Sequence, residues 1–249
     1  MRIYTISLRR TIRNIKVITT VMSLVLLSAF ITNLLQNNYR NSDNFAITNA
    51  NVGRVIIIDA GQGGEDPGAI GVDGSYEKDL NLTVATTIGE ILTEKGYTVI
   101  YTRTEDKMLY SESENIKGMR KLSDLKNRVK IAEEYPGATL ISIHMNSFGA
   151  AQYSGLQVYY QASKDNSRTL ADAIQNKVRS TLQPENDRKV KSGEGIYLLE
   201  NSSLNTVLVE CGFLTNPTEA EKLCEKEYQN QLSFAIVCGI IEYIETKTP

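Results

Sequence analysis

RVIIIDAGQGGEDPGAIGVDGSYEKDLNLTVATTIGEILTEKG, residues 54–96, is the stretch that decides the fold. Its opening, RVIIID, is a short β-branched run, the composition of a strand buried on both faces. A glycine-rich loop follows over residues 60–75. From Glu77 onward apolar residues recur at Leu80, Val84, Ile88, Ile91 and Leu92, the period of a helix, and Gly96 ends it. A second strand, TVIYT, comes next at residues 98–102. Strand, helix and strand in this order form a βαβ unit, which places the chain among α/β proteins with a mostly parallel sheet.

Outward from this unit the pattern repeats. The charged stretch 103–121 has no core period and reads as a surface loop. Residues 122–135 read as a helix capped by Ser123, and TLISIHMN at 139–146 as the third strand. Further strand signals lie at 155–160, 195–199 and 206–210, with helices at 168–182 and 217–244. No repeat, low-complexity tract or linker divides residues 52–249. The expectation is a single three-layer α/β domain, a twisted sheet of about six strands with helices on both faces.

Residues 1–36 are of another kind. Arg2, Arg9, Arg10, Arg13 and Lys16 precede VITTVMSLVLLSAFITNLL, residues 17–35, in which no charge occurs. A helix of that length, at about 1.5 Å per residue, covers the roughly 30 Å hydrocarbon core of a bilayer. Cations on its N-terminal side leave that end in the cytoplasm, so the remainder is exported. The run is longer than a usual signal core and no small-x-small site follows directly, which favours an uncleaved anchor over a cleaved signal. A polar linker, 37–51, leads into the domain at 52–249. The formal charge is −2, but residues 1–50 hold six Lys/Arg and one Asp, which leaves the rest at −7. That body repels nucleic acid.

In a parallel α/β sheet, reactive side chains gather where strands give way to loops at their carboxyl ends. Gln62 lies just past the first strand, His144 near the end of the third, and Glu210 closes TVLVE; Glu77 starts the first helix where the glycine-rich loop returns. Taken singly, Glu77 is explained by the helix macrodipole and His144 by a satisfied core histidine. Glu210 is harder to explain away, because a carboxylate after Val207, Leu208 and Val209 needs a cation, a metal or donors, or else a raised pKa. Imidazole and carboxylate are ordinary zinc ligands, and a further carboxylate handles protons.

Other chemistries fit less well. The glycine-rich loop has no complete G-x-G-x-x-G and no G-K-[ST], and Glu65 and Asp66 stand where a phosphate would sit. Cys211, Cys224 and Cys238 match no metal spacing, and a single histidine excludes Cys/His zinc sites. A Cys211–His144 nucleophilic pair is disfavoured because a strand neighbour of Glu210 points to the opposite face.

DAGQGGEDPGAIGVDGSYEKDLNL, then SIHMNS, then LVECGFLTNPTEAEKL resemble the zinc-dependent N-acetylmuramoyl-L-alanine amidases of the amidase 3 family, over residues 53–245. A hydrophobic N-terminal segment and a bare catalytic domain resemble most its sporulation and germination members. The resemblance implies hydrolysis of peptidoglycan, in the spore cortex, outside the cytoplasm and in the space around the forespore. It implies a Zn²⁺ held by Glu77, His144 and the residue at 62, with Glu210 as the catalytic carboxylate. Asn146, Arg188 and Asn216 fall at recurring family positions with binding or structural roles, the first two as substrate contacts. Position 62, however, is glutamine where the family has histidine. A neutral amide oxygen is a poorer zinc ligand than imidazole, so the expected site is weak. Two expectations follow: a protein partner that stabilises the metal-bound form, or a degenerate amidase domain that binds peptidoglycan or protein without catalysis.

Overall fold

The computed structural model describes residues 55–116 and 118–247. The expected anchor (1–36), the linker (37–51) and the first residues of the domain lie outside them. Among the described residues no helix is long and apolar enough to cross a membrane.

Strand β1 (Val55–Ala60) is followed by helix α1 (Glu77–Glu94) and β2 (Thr98–Tyr101). Then come α2 (Arg120–Glu133), β3 (Thr139–Asn146), β4 (Gln157–Tyr160) and α3 (Asp165–Thr181). The chain ends with β5 (Lys191–Ser192), α4 (Tyr197–Asn201), β6 (Asn205–Phe213), α5 (Pro217–Cys224) and α6 (Lys226–Lys247). The six strands form one sheet in the order β2-β1-β3-β6-β4-β5. β2, β1, β3 and β6 are mutually parallel, and β4 turns antiparallel against β6.

The three-layer expectation holds, and alternation along the strands explains it. One face carries Ile56, Ile58, Ile141, Ile143, Val207 and Val209, packed under Val84 and Ile88 of α1, Ile174 of α3 and Ile236 of α6. The opposite face carries Ile57 and Leu140, covered by Ala132 of α2 and Leu198 of α4. β1 is buried on both faces, which is why it reads as an unbroken β-branched run. The α1 stripe is buried at Leu80, Val84, Ile88 and Leu92, and the helix closes with Gly96 N–H on Thr93 O and Tyr97 N–H on Leu92 O.

Four local expectations are corrected. The 103–121 stretch is not all surface, because Arg103 is buried beneath the glycine-rich loop. The helix expected at 122 starts at Arg120, and Ser123 lies inside it with its hydroxyl on Glu114 rather than on a helix-end amide. The strand expected at 195–199 is helix α4, whose Leu198 and Leu199 are both buried; a short apolar run does not separate the two states. The helix expected at 217–244 is two, broken at Glu225, which is extended at φ −77, ψ 123.

Candidate active site

The second face of the sheet is covered by α2 and α4 only along its N-terminal half. Towards the carboxyl ends the same alternation presents polar residues: Asp59, then Ser142 beside it in register, then His144 opposite Glu210, then Gln157 opposite Glu210 on the far side. Parallel β1, β3 and β6 thus deliver the expected His144 and Glu210 to one sheet edge.

Glu77 reaches the same point from α1. It is 4% exposed. Its Oε2 accepts from Ala69 N–H at 2.7 Å, and its Oε1 accepts from His144 Nδ1 at 2.9 Å and from Asn81 Nδ2 at 3.2 Å. Burial pushes the Glu77 carboxyl up, but the hydrogen bond and charge of His144, with Ala69 and Asn81, prevail and hold it at about 2. Burial pulls His144 down, yet the bond and charge of Glu77 and the nearby Glu210 leave it above its ordinary value. Carboxylate and imidazole, held 2.9 Å apart here, are both groups that bind divalent ions.

Glu210 contrasts with Glu77 in its hydrogen bonding. Its Oε2 is buried without a hydrogen-bond partner among the described residues. Burial, against the partial relief of His144 and with the added repulsion of Glu77, pushes its carboxyl up to about 7. Two carboxylates thus share one site in opposite environments, Glu77 held at about 2 and Glu210 raised to about 7.

Gln62 converges on these residues through the glycines around it. A Cβ on Gly61 would collide with the His144 ring, and one on Gly68 would stand 2.7 Å from Gln62 Cγ and against Glu77 Oε2, so only glycine lets the loop close over the pair. Gln62 itself sits at φ +60. Arg128 holds it there from behind, with Nη2 on Gln62 O at 2.6 Å and Nη1 on Ala60 O at 2.6 Å. Arg103 binds Ala60 O at 2.8 Å and Gly61 O at 2.9 Å. Asp59 and Asp124 pair with Arg128 at 2.8 and 2.7 Å. No cluster of three or more His, Cys, Asp and Glu side chains could hold a metal among the described residues. Glu77 and His144 are of the kinds that bind divalent ions, and the glycine-rich loop brings Gln62 beside them.

Asn146 and Arg188 line one cleft of about 270 Å³ next to Glu210, together with Tyr153 and Phe213. Asn216 is separated from them in role, since its side chain caps α5 by accepting from Glu219 N–H at 3.1 Å. Cys211 is fully buried on the opposite sheet face, where burial raises its thiol well above the ordinary range, which disposes of the Cys211–His144 pair. Asn81, Arg103, Arg128 and Lys191 escape sequence reading. Only Asn81, one turn after Glu77, carried a usable signal.

Residues 56–242 match the profile of the amidase 3 family, N-acetylmuramoyl-L-alanine amidase. The chain is 37% identical over 195 residues to the germination-specific N-acetylmuramoyl-L-alanine amidase of Bacillus subtilis (strain 168), covering 78% of this chain and 81% of that protein. The structure of the CwlD amidase from Clostridioides difficile in complex with the GerS lipoprotein matches at a TM-score of 0.74 and 37% identity, over 77% of this chain and 98% of that one. An N-acetylmuramoyl-L-alanine amidase from Clostridium difficile 630 matches at 0.68 and 30%, over 78% and 98%.

Proposed function

The chain belongs to the amidase 3 family of N-acetylmuramoyl-L-alanine amidases, and we propose that it hydrolyses the amide between the lactyl group of N-acetylmuramic acid and the L-alanine of peptidoglycan stem peptides with one zinc ion held by Glu77, His144 and Gln62. The observation that carries this reading is the buried, unpartnered Oε2 of Glu210, in register with His144 at the sheet edge.

Glu210 as carboxylate takes a proton from the attacking water while the water oxygen bonds to the carbonyl carbon. It then delivers that proton to the nitrogen as the C–N bond breaks, leaving a lactyl carboxylic acid and the free amine of alanine. A carboxyl near 7 is suited to both transfers at neutral pH. Glu77 stays ionised and aims His144, and Asn146 and Arg188 hold the peptide beyond Glu210. When bound, zinc polarises the scissile carbonyl and brings the pKa of its water towards about 7.

Release of free alanine amines from purified muropeptides, with chelator and with added zinc, tests this. Activity is expected to vanish with chelator and return with zinc. Gln62 also motivates a second reading, a domain that binds wall without cleaving it; retained binding with no release at any zinc concentration supports that reading instead.

The germination-specific relative and the one solved with a lipoprotein support a role in the spore cortex and a protein partner. We place the domain outside the cytoplasm, held or delivered by residues 17–35. A partner that prefers the metal-bound form raises zinc affinity by linkage, and compensates for a neutral ligand at position 62.

A further inference from the structure

The cleft beside Glu210, where Arg188 holds the peptide, carries more charge than holding a neutral peptide backbone requires. Its walls carry two cations, Arg188 and Lys191, and no carboxylate. The hydrogen bonds of Arg188 go to neutral partners only, Nε on Ser154 O at 2.6 Å and Nη1 on Gln157 Oε1 at 3.2 Å; its guanidinium lies 4.4 Å from the Phe213 ring, and its charge reaches the buried Glu219 without an ion pair. Its Nη2 has no acceptor among the described residues. Neither cation forms an ion pair among them, although residues 51–249 carry a net charge of −7. A guanidinium with an open donor, in a cleft that a second unpaired cation also lines, suits a planar anion.

Register says where along a substrate that anion lies. Gln157 on β4 stands opposite Glu210, and Lys191 on β5 stands opposite Tyr159. With strands about 4.8 Å apart, the Gln157 that Arg188 binds lies one spacing, about 5 Å, from Glu210 towards the sheet edge, while Lys191 lies two spacings over and two residues along the strands, its long side chain lining the same cleft. An extended peptide advances about 3.5 Å per residue, so with the scissile nitrogen at Glu210 the residue after alanine arrives about 7 Å along. We infer that this cleft is a carboxylate subsite, in which Arg188 and Lys191 select stem peptides whose second residue carries a free rather than amidated α-carboxylate. The placement of alanine rests on the amidase reading above.

Two synthetic muropeptides test it, N-acetylmuramoyl-L-alanyl peptides with D-isoglutamate or D-isoglutamine in second position. The wild-type protein with zinc should favour the free carboxylate about tenfold in kcat/KM at low salt, the size of one charge-assisted contact. Lys191→Gln and Arg188→Gln should each bring the ratio of the two substrates towards one. Lys191 lies on an exposed two-residue strand, so its variant keeps the test available should the Arg188 variant fail to fold. Binding of the same two peptides to Glu210→Gln, followed by calorimetry, gives a readout without turnover. Equal kcat/KM for both substrates, or a preference that both variants retain, overturns the subsite. Preferential binding with no hydrolysis by the wild-type protein keeps the subsite and removes the amidase reading instead.

Discussion

Gln62 holds a backbone conformation, φ +60, that few side-chain-bearing residues adopt, and Arg128 and Arg103 hold the carbonyls that fix it. The left-handed turn is therefore maintained by buried cations rather than by the residue's own preference, so a histidine placed there should meet the same geometry. Glu210 presents the complementary case, a carboxyl whose Oε2 is buried without a hydrogen-bond partner among the described residues. Glu210→Gln should lower amide cleavage by about 10²–10⁴-fold, the usual contribution of a general acid–base group, with no loss of zinc binding, checked by muropeptide release alongside metal titration. His144 and Glu210 were legible as candidates because strand ends gather chemistry, whereas Glu77, at a helix start, stood out only through the motif around it. The sequence concealed Arg128, because Asp124 and Arg128 at a spacing of four read as an ordinary exposed helix pair, whereas both are buried under the loop.

At the scale of elements, the glycine-rich loop is held between β1 and α2 by Arg128, which bonds Asp59, Asp124, Ala60 and Gln62 at once. Removing one partner from a buried ion pair leaves the other uncompensated. Arg128→Met should cost about 3–5 kcal/mol in chemical denaturation, and the folded fraction should bind zinc more weakly because position 62 is released. Unchanged zinc affinity in folded Arg128→Met would show that the loop needs no such support. Elements with strong periodicity or unbroken β-branched runs, β1, α1 and β3, were legible to within a residue. Those that were not, α4 and the break between α5 and α6, are decided by tertiary fit: Leu198 and Leu199 pack as a single helical turn over the sheet, and Gln229 Nε2 caps the Leu223 carbonyl at 2.7 Å where no Gly or Pro marks the boundary.

For the whole domain, the opposed carboxylates predict how stability depends on pH in metal-free protein. Glu77 is held at about 2, below its ordinary value near 4.5, so its contribution is present above pH 4.5 and is lost as pH falls towards 2. Glu210 is raised to about 7, so its contribution is present below pH 4.5 and is lost as pH rises through 7; raised His144 acts in the same sense on the alkaline side. In chelator, the melting temperature should be higher at pH 5 than at pH 7.5, and Glu210→Gln should narrow that difference. The architecture that sets these environments, a sheet covered on one face and half covered on the other, was legible as layers. Which half stayed open was not, because it depends on how far α2 and α4 extend over the strands. The proposed reaction depends most directly on Glu77, His144 and position 62 surrounding one metal ion. A calorimetric zinc titration of wild type, His144→Ala and Gln62→His at one pH tests that. One zinc per chain is expected in the wild-type protein, none in His144→Ala, and about 10- to 100-fold tighter binding in Gln62→His. Equal affinity in all three proteins would contradict the account.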